Sequence, residues 1–157
     1  MLALVARWTG QVSTALPLSL VAAPIVCVVF AFSATCEELG WTGYATDPLQ
    51  QRFGELATGL GLGGYWALWH LIPLLQAGHP LWWIVGGFCG TVAARVLIVT
   101  LHNRTGHGVS AAIVLHTMLN VTSAYTPGLD QAVSTIITGV LTAAAAIVLL
   151  LGTRTAQ

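Results

Sequence analysis

The sequence contains no lysine, and only 6% of its 157 residues are charged. Soluble globular domains have about a quarter of their residues charged, so this composition excludes an ordinary soluble domain. The net charge is zero, and the chain lacks the basic surface that nucleic-acid binding requires, so we expect no nucleic-acid partner. A mean hydropathy of +0.83 and a hydrophobic fraction of 56% indicate instead a protein of the lipid bilayer.

Cysteines and polar linkers are also scarce. The three cysteines, Cys27, Cys36 and Cys89, lie in or beside apolar runs and show no CxxC spacing, so the sequence predicts neither a disulfide framework nor a thiolate metal site. We expect them to be small buried side chains. Because no Pro/Gly/Ser-rich linker divides the chain, residues 1–157 are predicted to form one domain.

Long apolar runs separated by turn signals predict an all-α bundle of about five transmembrane helices. The expected spans are residues 16–44, 56–76, 81–101, 108–125 and 131–151, close to the roughly 20 residues that a bilayer demands. Residues 1–14 are expected to lie at the membrane interface, and a cleaved signal peptide is the alternative. Asp47-Pro48 is expected to end the first helix and to open a polar loop.

The arginines give a prediction of orientation. Arg52, Arg104 and Arg154 fall on one side of the predicted membrane, and Arg7 falls on the other. Because cytoplasmic loops carry an excess of positive charge, the loop after the first span is predicted to be cytoplasmic.

Two adjacent carboxylates, Glu37 and Glu38, stand at the end of an apolar run. Acidic groups within a span cost about 2.5 to 3.5 kcal/mol to insert and indicate a functional site with partners elsewhere in the bundle. The partner candidates are His70, and His116 with Asn120, which share one helix face at i and i+4. Depth is counted from the expected cytoplasmic ends of the spans, near residues 47, 59 and 107. At about 1.5 Å per residue, Glu37, His70 and His116 lie about 15, 16 and 13 Å deep.

These residue types at one depth can hydrolyse an acyl bond without a nucleophilic side chain. A carboxylate and an imidazole beside one water can remove its proton, and a second imidazole with an amide can supply donors to the resulting oxyanion. Two other interpretations stay open: the polar groups hold the helices together, or they relay protons in a small carrier or membrane subunit. His79, His102 and His107 lie in predicted turns, where we expect a structural role.

The motifs EELGWTGY, WALWH and HTMLN, in this order over residues 35–120, resemble those of the CPBP intramembrane proteases, the CAAX prenyl protease and bacteriocin-processing group that includes lysostaphin-resistance-like proteins. The resemblance implies a membrane-embedded peptidase in which Glu37 and His70 activate water while His116 and Asn120 stabilise the oxyanion. It implies a membrane-tethered substrate, either a prenylated protein or a leader peptide, and an integral, multi-pass protein of a prokaryotic cell membrane. Whether a metal takes part stays open; Glu37, His70 and His116 would be the zinc ligands.

The sequence departs from the family pattern EExxxR at Thr42, where the family usually has arginine. Thr42 lies one helical turn from Glu38 and cannot neutralise its charge. Arg95, about 10 Å below His102 by helical rise, is the candidate replacement, and we predict an ion pair between Arg95 and Glu38. The alternative is that Arg95 extends to the membrane interface. Because Thr42 stands where the family usually has arginine, a further interpretation is that this chain is a catalytically inactive relative.

A second departure is that the family commonly has more spans before the first motif. The shortened N-terminal part leaves fewer helices around the cavity. Association into a homo-oligomer through the glycine-rich spans is the expected remedy.

Overall fold

The computed structural model describes residues 18–125, 139–148 and 152. Over these residues every regular element is helical, which confirms the predicted all-α bundle. After a 3₁₀ turn at Leu20–Ala22, the elements are α1 Ala23–Gly40, a π-helical turn Trp41–Thr46, α2 Asp47–Phe53, α3 Glu55–Gln76, α4 Leu81–Arg104, α5 Ser110–Tyr125 and α6 Gly139–Val148. The predicted interfacial segment 1–14 and much of the fifth span lie outside the described residues.

The first helical segment does not end at Asp47-Pro48, so the predicted polar loop is wrong. The chain stays helical through α2 and breaks at Gly54, whose φ of 80° ends the segment. Proline lacks an N–H donor and crowds the preceding turn, and the π-helical turn directly before it provides a wider spacing. The Thr46 hydroxyl donates to the Trp41 carbonyl at 2.9 Å across this turn.

Close packing of α3 against α4 depends on two glycines one turn apart. A Cβ at Gly59 would lie 2.9 Å from Val96 Cα, and one at Gly63 would lie 2.9 Å from Val92 Cα. Small residues at this spacing let two helix backbones approach closely. Gly61 and Gly64, on other faces of α3, have open space around them.

Four helices bring the polar residues together. α1 packs against α5, and α4 packs against both α3 and α5. Glu37 and Glu38 come from α1, His70 from α3, Arg95 from α4, and the pair His116 and Asn120 from α5. The helices that carry the predicted site residues therefore pack against one another.

The surface of the bundle is apolar. Val21 is 87% exposed, Ile25 70% and Phe32 74%, and Cys36 and Cys89 are also exposed. The prediction that all three cysteines are buried is therefore wrong, since a chain in lipid has no need to bury a weakly polar thiol. Among the described residues, Leu20–Phe53 and Leu81–Arg104 are long and apolar enough to cross a membrane.

Candidate active site

Arg95 and Glu38 form a buried, two-pronged ion pair. Arg95 Nη1 lies 2.8 Å from Glu38 Oε2 and Nη2 lies 3.0 Å from Oε1, with both side chains 0% exposed. A guanidinium and a carboxylate paired in this way combine charge with fixed geometry. The predicted ion pair between α4 and α1 is confirmed, and Arg95 does not extend to the membrane interface.

Thr42 completes the surroundings of this carboxylate. Its hydroxyl donates to Glu38 Oε2 at 2.5 Å, and Arg95 Nη1 lies 3.4 Å from Thr42 Oγ1. Thr42 is buried, one turn after Glu38 on the same helical face. Where the family usually has arginine, this chain uses two residues, because Arg95 supplies the positive charge and Thr42 supplies a hydrogen bond.

His116 is held by the same carboxylate. Its Nδ1 lies 2.9 Å from Glu38 Oε1, and the imidazole is buried. A carboxylate ionised beside arginine only accepts hydrogen bonds, so the proton is on Nδ1. Nε2 of His116 is consequently an acceptor in the neutral imidazole and a donor only in the imidazolium.

Glu37 is oriented by Trp66. The indole Nε1–H donates to Glu37 Oε2 at 3.0 Å, and Trp66 is 6% exposed. The guanidinium carbon of Arg95 lies 4.4 Å from the centroid of the Trp66 ring, a cation–π contact. The same ring lies edge-on to His70 and His116, with centroids 5.6 and 4.9 Å away.

Sequence reasoning assigned no role in the site to Trp66 and missed this contact. The usable signal was its position four residues before His70, which places both on one face of α3. Trp69 and Trp82, by contrast, are 68% and 48% exposed.

The tautomer of His70 is set by its own helix. His70 Nδ1 lies 2.9 Å from the Trp66 carbonyl oxygen, which can only accept, so Nδ1 carries the proton. Nε2 of the neutral imidazole therefore bears a lone pair, the form that a general base or a metal ligand requires.

The four predicted catalytic residues line one cavity of about 350 Å³. Its wall also contains glycines and apolar side chains of α4, and Gly139 and Thr142 of α6. The lining residues are Glu37, Trp66, His70, Leu74, Trp83, Gly87, Gly90, Thr91, Ala94, His116, Leu119, Asn120, Ser123, Gly139 and Thr142. Glu38, Arg95 and Thr42 lie behind this wall, where they hold His116.

The zinc set suggested by the resemblance does not fit as the side chains stand. Ligand atoms bound to one zinc at 2.0–2.2 Å lie within about 4.4 Å of each other. Among the described residues, the trio whose ligand atoms come within 4.8 Å of one another is Asp47, His102 and His107, at another part of the bundle. We therefore derive no catalytic step through a metal.

The matched region decides the family. Residues 17–122 match the model of the type II CAAX prenyl endopeptidase Rce1-like family. The chain belongs to the Rce1-like family. This span contains all seven predicted site residues, and the resemblance found in the three motifs is confirmed. Membership, together with the two apolar helices, identifies a membrane protein.

A curated relative gives a similar result. The chain is 28% identical over 134 residues to CAAX prenyl protease 2 of Methanococcus maripaludis, an alignment that covers 80% of this chain and 49% of that protein. The chain thus spans about half the length of this relative. No solved structure matches the chain.

Proposed function

We propose that this protein is an intramembrane endopeptidase that uses a water molecule activated by Glu37 and His70. The observation that supports the proposal is the cavity in which a carboxylate, two imidazoles and an amide meet from three helices. A structural role alone does not require Glu37 and His70 to face a cavity of this volume.

Glu37 and His70 are the proposed proton acceptors. Trp66 occupies Glu37 Oε2, so Oε1 is the oxygen offered to a water, and His70 Nε2 offers a lone pair beside the same cavity. Removal of the proton lets the water oxygen attack the peptide carbonyl. The proton then passes to the leaving amine, so that the group that acted as base acts as acid in the second step.

His116 and Asn120 are the proposed donors to the oxyanion. Asn120 donates through its amide in any protonation state. His116 donates at Nε2 only as the imidazolium, because Nδ1–H points at Glu38. The carboxylate of Glu38 fixes the orientation of the His116 ring, much as a buried aspartate holds the histidine of a serine protease, so Glu38, Arg95 and Thr42 are positioning residues.

The proposed substrate is a membrane-tethered peptide or protein. The name of the relative from Methanococcus maripaludis, CAAX prenyl protease 2, favours a prenylated substrate over a leader peptide. We extend the proposal to an integral, multi-pass protein of a prokaryotic cell membrane, with the lipid bilayer as its partner. A homo-oligomer is also proposed, and its glycine contacts would use faces other than that of Gly59 and Gly63, which α4 already covers.

Cleavage of defined peptides by the purified full chain tests this function. In liposomes, the wild type should cleave a farnesylated C-terminal peptide, and Glu37→Gln should lower kcat/KM by about 10²- to 10⁴-fold, the usual effect of losing a general base. Glu55→Gln, a carboxylate in the first turn of α3 outside the cavity lining, is the matched control. Equal rates for Glu37→Gln and the wild type would contradict the proposal. A proton leak that Glu37→Gln abolishes, without peptide cleavage, would favour the carrier.

A further inference from the structure

A second cluster of ionisable side chains lies outside the cavity. Asp47 begins α2, His102 lies in the last turn of α4, and His107 lies in the turn before α5. Asp47 Oδ1 is 3.0 Å from His102 Nε2 and 3.1 Å from His107 Nδ1, and the three ligand atoms lie within 4.8 Å of one another. None of these residues lines the catalytic cavity.

Both ring nitrogens of His102 face hydrogen-bond acceptors. Its Nδ1 lies 3.3 Å from the Gly108 carbonyl oxygen and its Nε2 lies 3.0 Å from Asp47 Oδ1, and the neutral imidazole has a single N–H for the two. When Nδ1–H donates to Gly108, Nε2 directs a lone pair at the Asp47 carboxylate. Two acceptors 3.0 Å apart repel each other unless a positive charge lies between them.

A metal ion on Nε2 supplies such a charge and leaves the proton on Nδ1. Metal-binding histidines usually donate their other ring N–H to a backbone carbonyl or a carboxylate, which fixes the tautomer and the ring orientation. His102 has this arrangement through Gly108. The buried His102 ring is held in place by the contact of its Nδ1 with Gly108. Its Nε2 is therefore oriented to bind a metal.

We propose that Asp47, His102 and His107 bind one Zn²⁺ ion. Two imidazole nitrogens and one carboxylate oxygen are a common zinc donor set, and four residues separate the two histidines, within the usual spacing of three to five. Bonds of 2.0–2.2 Å in a tetrahedron place ligand atoms about 3.3 to 3.6 Å apart. The observed N–O distances of 3.0 and 3.1 Å need to open by only a few tenths of an ångström.

The cluster is open to an ion from solution. The side chain of His102 is 1% exposed, whereas those of Asp47 and His107 are 43% and 55% exposed. The buried histidine forms the base of the site and the two exposed ligands form its entrance. A water molecule completes the coordination, as at zinc sites with three protein ligands.

Zinc at this position ties three elements together. It joins the start of α2 to the end of α4 and to the turn that leads into α5, the helix that carries His116. Gln50 already supports this junction, with its Nε2 2.8 Å from Asp47 Oδ1 and 2.9 Å from Asn103 Oδ1. A chelator would then lower peptidase activity by loosening the junction of these elements, although no metal lies beside Glu37.

Metal binding by the full chain in detergent tests the proposal. The protein is purified without a polyhistidine tag and titrated with Zn²⁺ against a fluorescent chelator, and Co²⁺ spectra report the ligands. We expect one Zn²⁺ per chain. His107→Gly removes an exposed ligand and tolerates the φ of 62° at this position. It should weaken zinc binding by at least roughly 10- to 100-fold, which is the cost of losing even a residue that only hydrogen-bonds a metal ligand.

Two control variants separate this site from the catalytic cavity. His79→Ala removes a histidine that stacks on Trp83, away from the cluster, and Glu37→Gln alters the cavity; both should bind zinc like the wild type. The proposal is overturned if the wild type binds no zinc. It is also overturned if His107→Gly binds normally, or if Glu37→Gln loses the ion. These outcomes do not depend on whether the protein cleaves peptides.

Discussion

Four donated hydrogen bonds compensate the burial of Glu38. Arg95 provides two, and Thr42 and His116 provide one each. An ionised carboxylate away from water is expensive unless such partners are complete. The network therefore explains how this chain keeps an acidic residue inside an apolar bundle, and why Thr42 alone would be insufficient.

Arg95→Ala should destabilise the protein by about 3–5 kcal/mol, because it leaves the charge of Glu38 buried and unpaired. Activity should fall as well, since Glu38 would no longer hold His116 in place. Chemical denaturation followed by tryptophan fluorescence and the peptide assay measure the two effects.

Adding Thr42→Arg to Arg95→Ala should restore part of both properties, because residue 42 contacts the same carboxylate from the next turn of the helix. Thr42→Arg in the wild type is the control and should bring no gain, since it adds a second cation beside Arg95. A double variant no better than Arg95→Ala would show that charge at residue 42 cannot replace charge at residue 95.

At the scale of single residues, the sequence predicted the contacts that depend on charge and on depth in the membrane. An arginine without an acidic neighbour in its own span must find a partner in another helix, and helical rise limited the choice to Glu38. The hydrogen bond from Trp66 to Glu37 depends on the rotation of α3 about its axis, which weak periodicity in an apolar helix does not reveal. The cluster of Asp47 with two histidines was missed because Asp47 was assigned to a loop.

At the scale of elements, helix limits agree closely with the sequence wherever a turn signal was unambiguous. Residues 56–76 were expected where α3 covers Glu55–Gln76, and 81–101 where α4 covers Leu81–Arg104. The failure at Pro48 has a local cause. Proline usually ends a helix, but Pro48 lies in the first turn of α2, directly after a π-helical turn that composition does not reveal.

The glycine face of α3 gives a prediction with an internal control. Gly63→Ala should destabilise the protein and reduce activity, because the new Cβ would lie 2.9 Å from Val92 Cα and 3.1 Å from Arg95 Cβ. α4 must then move away and carry Arg95 with it. We expect a loss of about 1–3 kcal/mol, the usual cost of overpacking, measured by denaturant unfolding.

Gly61→Ala is the matched variant on the same helix. Its Cβ meets no atom within 4 Å, so the substitution should be neutral or stabilising by up to about 1 kcal/mol through helix propensity. If both alanine variants behaved alike, backbone entropy rather than the approach of α4 would explain the effect.

At the scale of the whole molecule, the residues that line the cavity come from separate helices. The cavity therefore forms only when these helices pack together. α1, α3 and α5 each contribute a proposed reacting group, and α4 contributes Arg95, which pairs with Glu38. Polar and charged side chains are buried among the apolar residues of the interior, and many large apolar side chains are exposed on the outer surface, unlike in a water-soluble enzyme. This pattern predicts that helices of modest hydropathy, such as α3, also cross the membrane.

The length of α3 makes this expectation testable. Its 22 residues extend about 33 Å, enough for the roughly 30 Å hydrocarbon core. Gln51 lies before its start, Gln76 is its last residue and Thr105 follows α4; all three are exposed. Cysteines introduced singly at these positions, with the three native cysteines replaced by alanine, report which side of the membrane each occupies.

A membrane-impermeant maleimide should label Gln51→Cys and Thr105→Cys from one side and Gln76→Cys from the other. The hydrogen bond between Gln50 and Asn103 places the first two positions at the same end of the bundle. Arg52 and Arg104 at that end make it the cytoplasmic one, so intact cells should label only Gln76→Cys, and inverted vesicles only the other two. Labelling of all three from one side would show that α3 and α4 do not span the bilayer, and the cavity would then lie outside the membrane.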